Sequence, residues 1–301
     1  MSRQQDLDLE DIHYFDDIRQ ILKEPAANWL GRMLNSAFAF VIAYILIQFL
    51  YNGVTWSAAK VLGITGSFGY SIFDLNRDPQ LYSQKRVLFI FLAGPIFKLV
   101  FSIFSWQMFQ GTRKVKNLAN MFWFWSAFIG LTGFFTQFAF GAFRNNYEIL
   151  DTKAGLETYV GFAVISAWQD IPVTGGYFLV AVGALFCILT GLIFVRPFLS
   201  LSHSFKLANN FYGRRTLYMY LIMMPFLLAS VILLIVSFPN HMIALGINLA
   251  GMGLTILIGF LVLHNYKGVV QIRRNNLLNK VSVVGLIIVI VAAALALIFR
   301  T

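Results

Sequence analysis

Seven runs of about 20 apolar residues limit what this chain can fold into. A helix crossing a bilayer core of about 30 Å needs roughly that many apolar residues in a row. The runs fall at about 35–53, 87–110, 118–142, 174–195, 217–238, 241–263 and 281–299. Lipid offers no hydrogen bonds, so each run must satisfy its own backbone groups as a helix. We expect an all-α, polytopic integral membrane protein with about seven transmembrane helices. An eighth stretch, residues 159–168, is too short to span and reads as a re-entrant or interfacial segment.

Composition agrees. Only 12% of the 301 residues are charged and 58% are apolar, against about 25% and 45–50% in soluble domains. So few charges cannot cover a water-facing surface. This excludes a soluble enzyme and a disordered tail. Aromatics such as Trp29, Tyr51, Trp56, Trp106, Tyr177, Tyr218 and Tyr266 stand near run ends, as an interfacial belt would. The lone cysteine, Cys187, cannot form an internal disulfide and reads as a small packing residue. No basic region precedes the first apolar run, so we expect no secretory leader.

The net charge of +10 is unevenly placed. Asp6, Asp8, Glu10, Asp11, Asp16, Asp17 and Glu24 crowd residues 1–24, against only Arg3, Arg19 and Lys23. The basic remainder sits at run ends, which points to lipid headgroups and not to nucleic acid. Fifteen Lys and Arg fall on the N-terminal side of the runs and seven on the other. The positive-inside rule then gives a cytoplasmic N-terminus and an external C-terminus, as in a bacterial inner membrane.

Residues 7–23 carry Ile12, Phe15, Ile18 and Leu22 at spacings of three or four, one apolar stripe on an acidic amphipathic helix. Such a helix is a poor ligand for anionic lipid and fits a basic protein surface, in this chain or in a partner. Residues 198–211 repeat the spacing with Phe198, Leu201 and Phe205 beside Lys206, and resemble a basic interfacial helix. We divide the chain into an acidic N-terminal segment, 1–33, and one transmembrane domain, 34–301.

Ionisable residues inside spans are functional suspects. Lys98 is the main one, about a dozen residues into the second run, with no Asp or Glu in any run core to pair it. It reads as part of a polar path, as a contact for an acidic partner group, or as a snorkelling lysine. Gln107, Gln137 and Asn248 are candidates for hydrogen bonds between helices. His13, His203, His241 and His264 lie in connections or at run ends without ligand spacing, so we expect no metal site and no cofactor. HExxH, GxSxG and Walker A patterns are absent. Gly183, Cys187 and Gly191 recur every four residues in one run, and Gly251, Thr255 and Gly259 in another. Such rows let helix backbones approach closely.

One stretch resembles the site-2 proteases, intramembrane zinc metalloproteases. Trp56-Ser57-Ala58-Ala59-Lys60-Val61-Leu62-Gly63 is similar to the segment that follows that family's HExxH motif. Residues 64–74 are similar to its hairpin-like segment. Ala93-Gly94-Pro95 is similar to its second motif, with Lys98 where the family has asparagine. On this alignment Tyr51, Asn52 and Thr55 stand where the family has His, Glu and His. The region of its later Asp-Gly motif reads Gly130-Leu131-Thr132-Gly133-Phe134-Phe135-Thr136-Gln137. The resemblance covers residues 36–140 and implies a relative without metal ligands or general base. It also implies a first helix running from outside to cytoplasm, opposite to the charge count.

From these features we expect a non-enzymatic membrane subunit or accessory protein, packed with other membrane proteins in an envelope complex for secretion or assembly. The alternatives are a transporter or channel using Lys98, and an inactive site-2-protease-like protein that binds transmembrane segments.

Overall fold

The computed structural model describes residues 26–69, 73–75, 79–112, 118–140, 162, 164, 165, 171–201, 208, 209, 211–238, 242–263 and 281–298. Seven long helices carry the fold: α1 (Ala26–Val61), α2 (Gln84–Thr112), α3 (Leu118–Phe140), α4 (Val173–Leu199), α5 (Phe211–Ser237), α6 (Met242–Val262) and α7 (Val283–Ile298). The first six are long and apolar enough to cross a membrane. The protein is an all-α membrane protein in that coarse sense, with one exception. Strands β1 (Gly66–Phe68) and β2 (Phe73–Leu75) form a short antiparallel hairpin, pairing Gly66 with Leu75 and Phe68 with Phe73.

Helix ends depart from the apolar runs. The first run suggests 35–53, yet α1 has 36 residues, about 54 Å at the helical rise. Hydropathy marks the lipid-soluble part of a helix, whereas the helix continues wherever its backbone bonds continue. The seventh helix has only 16 residues, about 24 Å. The stretch 198–211 is not one continuous helix, since residues 200 and 201 form a turn, and Phe205 and Lys206 lie outside the described residues. Phe198 and Leu199 end α4, and Phe198 and Leu201 are 1% exposed, turned into the bundle. Residues 1–25, which include the acidic amphipathic pattern, lie outside the described residues. So do most of 159–168 and all four histidines.

Central to the bundle is α3, which packs on α1, α2, α4 and α6. Its core is aromatic. Trp125 is fully buried, meets Phe40 edge-on at 4.8 Å and has Phe128 at 5.7 Å. Phe194 of α4 meets Phe124 and Phe128 edge-on at 5.6 and 5.4 Å. Edge-to-face pairs suit ring quadrupoles and fix side-chain positions. A second, smaller cluster joins Ala59, Ile64, Leu75, Val87 and Ile90 with Val164 and Ile165 beneath the hairpin.

Between Met219 and Met223, α5 makes a turn of π-helix, just before Pro225. Proline has no N–H, so Pro225 leaves a carbonyl of the preceding turn without a backbone donor. In this stretch the hydroxyl of Ser36 on α1 donates to the Leu221 carbonyl, at 2.6 Å. The indole N–H of Trp125 donates in turn to Ser36 Oγ at 3.0 Å. One serine thereby ties α1, α3 and α5 together.

Candidate functional site

The site forms where α1, the hairpin and α2 meet α3. Tyr51, Asn52 and Thr55 lie on one face of α1 and are at most 3% exposed. The hairpin is strapped to this helix. Asn52 Nδ2 donates to the Gly69 carbonyl at 3.1 Å, and Trp56 Nε1 to the Gly66 carbonyl at 2.9 Å. Gln48 Nε2 reaches Asn52 Oδ1 at 3.4 Å.

Gly94 brings α2 onto that face. A Cβ there would stand 2.5 Å from Tyr51 Cε2 and 2.6 Å from Thr55 Oγ1, so only glycine allows the approach. One turn along, Lys98 is 4% exposed, with Nζ 4.3 Å from the centre of the Tyr51 ring. Its stem runs past Gly133 of α3, where an added Cβ would lie 3.5 Å from Cδ and 3.7 Å from Nζ. Gly130 sits closer still: an added Cβ there would lie 2.8 Å from the Lys98 carbonyl oxygen and 2.9 Å from Ser102 Cβ.

The electrostatics of this pocket are incomplete. A buried ammonium costs several kcal/mol unless it is paired. A desolvated cation over an aromatic face recovers only about 2 kcal/mol. Asp74, in β2, is the single acid among the described residues. Gln137 lies one turn beyond Gly133 and is 2% exposed; its Oε1 is buried without a hydrogen-bond partner among the described residues. A helical side chain leans toward the preceding turn, so Gln137 leans toward Gly133 and the Lys98 stem. An ammonium with spare donors and an amide oxygen without one therefore flank Gly133.

The polar strip continues along α2 and α3. Ser102 and Ser105 fall four and seven residues beyond Lys98, on its face. Ser102 Oγ donates to the Ala127 carbonyl at 2.6 Å. Ser105 Oγ and, on α3, Ser126 Oγ are buried without partners among the described residues. Thr136 Oγ1 lies 2.9 Å from Asn248 Oδ1 and 3.2 Å from the Gly133 carbonyl, which links α3 to α6.

Of the four intramembrane polar candidates, Lys98, Gln137 and Asn248 thus face the α1–α2–α3–α6 interior. Gln107 does not; it is exposed. Nine residues from Lys98 are two and a half turns, which points it the opposite way. Tyr51, read from sequence as a belt aromatic, instead supplies the ring against Lys98.

The small-residue rows lie at helix crossings. Gly183 meets the Phe135 carbonyl and Phe138 of α3, and Gly191 meets the Thr255 carbonyl and the Gly259 N–H of α6. Cys187 lies buried beside Thr255. Thr255 Oγ1 donates to the Gly251 carbonyl at 2.8 Å. Gly251 packs on Thr136, and Gly259 on the Tyr218 hydroxyl.

A zinc ion, which the site-2 protease resemblance would bring, does not fit this face. Zinc takes imidazole, thiolate or carboxylate ligands. Here a phenol ring, an amide and a hydroxyl occupy the positions. Thr55 Oγ1 already donates to the Tyr51 carbonyl at 2.9 Å, and Lys98 places an ammonium against the same ring. Among the described residues no group of three His, Cys, Asp or Glu could hold a metal. No family model, curated protein or solved structure matches the chain.

Proposed function

We propose that this protein is a non-enzymatic membrane subunit that holds transmembrane segments of other membrane proteins in an envelope complex. The observation that carries the reading is Lys98, a buried ammonium with no acid near it among the described residues, beside an amide oxygen that lacks a donor. A carboxylate on a partner's transmembrane segment answers the ammonium, its oxygens accepting from Lys98. The α1–hairpin–α2 order supports a likeness to site-2 proteases in which the metal site is replaced by a polar contact. The excess of Lys and Arg on the N-terminal side supports a cytoplasmic N-terminus in a bacterial inner membrane.

The test uses the purified protein in liposomes with a synthetic transmembrane peptide carrying one central Glu, and the same peptide carrying Gln. A charge-assisted hydrogen bond is worth about 1.5–3 kcal/mol, so the Glu peptide should bind at least about tenfold tighter. Lys98→Gln should remove that difference. Equal binding of the two peptides would remove the acidic contact from the proposal. Binding of neither would overturn the segment-holding role, and stoichiometric zinc in the purified protein would overturn the non-enzymatic one.

A second reading, a transporter or channel, draws on the buried polar row from Asn52 through Lys98 and Gln137 to Asn248. Lys98→Ala would then abolish flux of a small anion in liposomes without disturbing the helix bundle.

A further inference from the structure

Arginines gather at one end of the bundle. Arg196 closes the last turn of α4 and is exposed. Arg214 and Arg215 sit in the first turns of α5. Arg32, in the first turns of α1, lies over Trp29 at 5.5 Å. Ring contacts bring these helix ends together. Trp29 meets Tyr220 of α5 at 5.0 Å, and Phe198 of α4 meets Tyr218 of α5 at 4.9 Å. Arg215 lies over Phe211 at 5.0 Å and over Phe260, near the end of α6, at 5.2 Å.

The two neighbouring arginines of α5 differ. Arg214 is occupied, with Nε donating to the Ala208 carbonyl at 2.7 Å and Nη2 reaching the Asn209 carbonyl at 3.4 Å. Arg215 packs on two rings, and its Nε is buried without a hydrogen-bond partner among the described residues. No carboxylate stands at this end among them, because Asp74 belongs to the hairpin that follows the other end of α1.

Negative charge is concentrated elsewhere in the same chain. Seven of its 13 acids fall within residues 1–24. The chain enters α1 at Ala26, three residues before Trp29, and so beside the arginines. The nine residues from Asp17 to Ala26 span up to about 30 Å when extended. A tether this short gives the segment a local concentration in the millimolar range.

We infer that residues 7–23 dock as an acidic amphipathic helix on the arginine end of their own chain. The carboxylates face Arg196 and Arg215, and the stripe of Ile12, Phe15, Ile18 and Leu22 covers the aromatic floor around Phe211. Docked there, the segment keeps anionic lipid headgroups and acidic partner surfaces off these arginines. This inference stands apart from the role proposed for Lys98.

The experiment uses the full chain with Cys187→Ser, reconstituted in nanodiscs of zwitterionic lipid. A cysteine pair, Asp17→Cys with Arg196→Cys, should give an intrachain cross-link with a short bis-maleimide. A product joining two chains instead would assign the site to a second copy and overturn the inference. A second measurement leaves the basic end untouched. Trypsin should cut after Arg19 and Lys23 at least about threefold faster in Asp16→Lys/Asp17→Lys than in the parent protein. Equal rates, together with no intrachain product, would overturn the docking. So would shielding of a single Arg196→Cys from maleimide that appears only when phosphatidylglycerol is added.

Discussion

Ser36 donates its hydroxyl proton to the carbonyl of Leu221, 185 residues away in sequence, at 2.6 Å. That carbonyl lies in the turn before Pro225, which has no N–H to donate. Ser36→Ala leaves both the Leu221 carbonyl and the Trp125 indole N–H unpaired in the core. A buried polar group left unpaired costs about 1–3 kcal/mol. We expect Ser36→Ala to lower stability in detergent by about 2 kcal/mol. Pro225→Ala restores a backbone donor, so in that background the same substitution should cost less. An equal cost in both backgrounds would show that Pro225 does not set the role of Ser36.

Close approach at Gly191 has its own consequence. A Cβ there would meet the Thr255 carbonyl, which is backbone and cannot turn aside. Gly191→Ala should destabilise the protein by about 1–3 kcal/mol by pushing α4 from α6. Gly246, also on α6, has nothing within 4 Å of the same atom. Gly246→Ala should be neutral, or stabilising by about 0.5–1 kcal/mol. Thermal unfolding of the two variants side by side checks the contrast.

Much of this was legible in the sequence, and the reasons are specific. Hydropathy locates α2 and α3 to within a few residues, because there the helix ends close to where the apolar residues end. It misplaces both ends of α1, whose helix outlasts its apolar run. Lys98 stands out because it is the one charge deep inside a run. Its surroundings do not. The Tyr51 ring, Gly133 and Gln137 come together only when α1, α2 and α3 pack. Ser102 and Ser105 were readable by phase alone, four and seven residues beyond Lys98, as was the outward direction of Gln107.

Lys98 should be costly to the fold it serves. Replacing even a buried ion pair by apolar side chains of similar volume is often neutral or stabilising by about 1–4 kcal/mol, because the charges no longer have to be desolvated. Lys98→Met should therefore raise the unfolding temperature while removing the preference for a Glu-bearing peptide. Tyr51→Leu should cost about 0.5–2 kcal/mol of cation–π attraction in the parent, and clearly less in Lys98→Met. A double-mutant cycle by thermal unfolding measures the coupling.

Topology is open to direct labelling. In a Cys187→Ser background, Tyr70→Cys should react with an impermeant maleimide added outside the cell. Val270→Cys should react only after the membrane is opened. The reverse pattern would fit the direction of the first helix in site-2 proteases and contradict the charge count.

The longest and the shortest of the seven helices are neighbours: α7 packs directly on α1. One is about 54 Å long and the other about 24 Å, against a hydrocarbon core of about 30 Å. Their apolar runs, 35–53 and 281–299, are nevertheless equally long. The surplus of α1 lies in its ends, which carry Arg32 and Lys60, and a helix that outreaches the hydrocarbon core tilts or projects from it. In lipid the two helices are matched; they differ in how far α1 reaches into the headgroup layers.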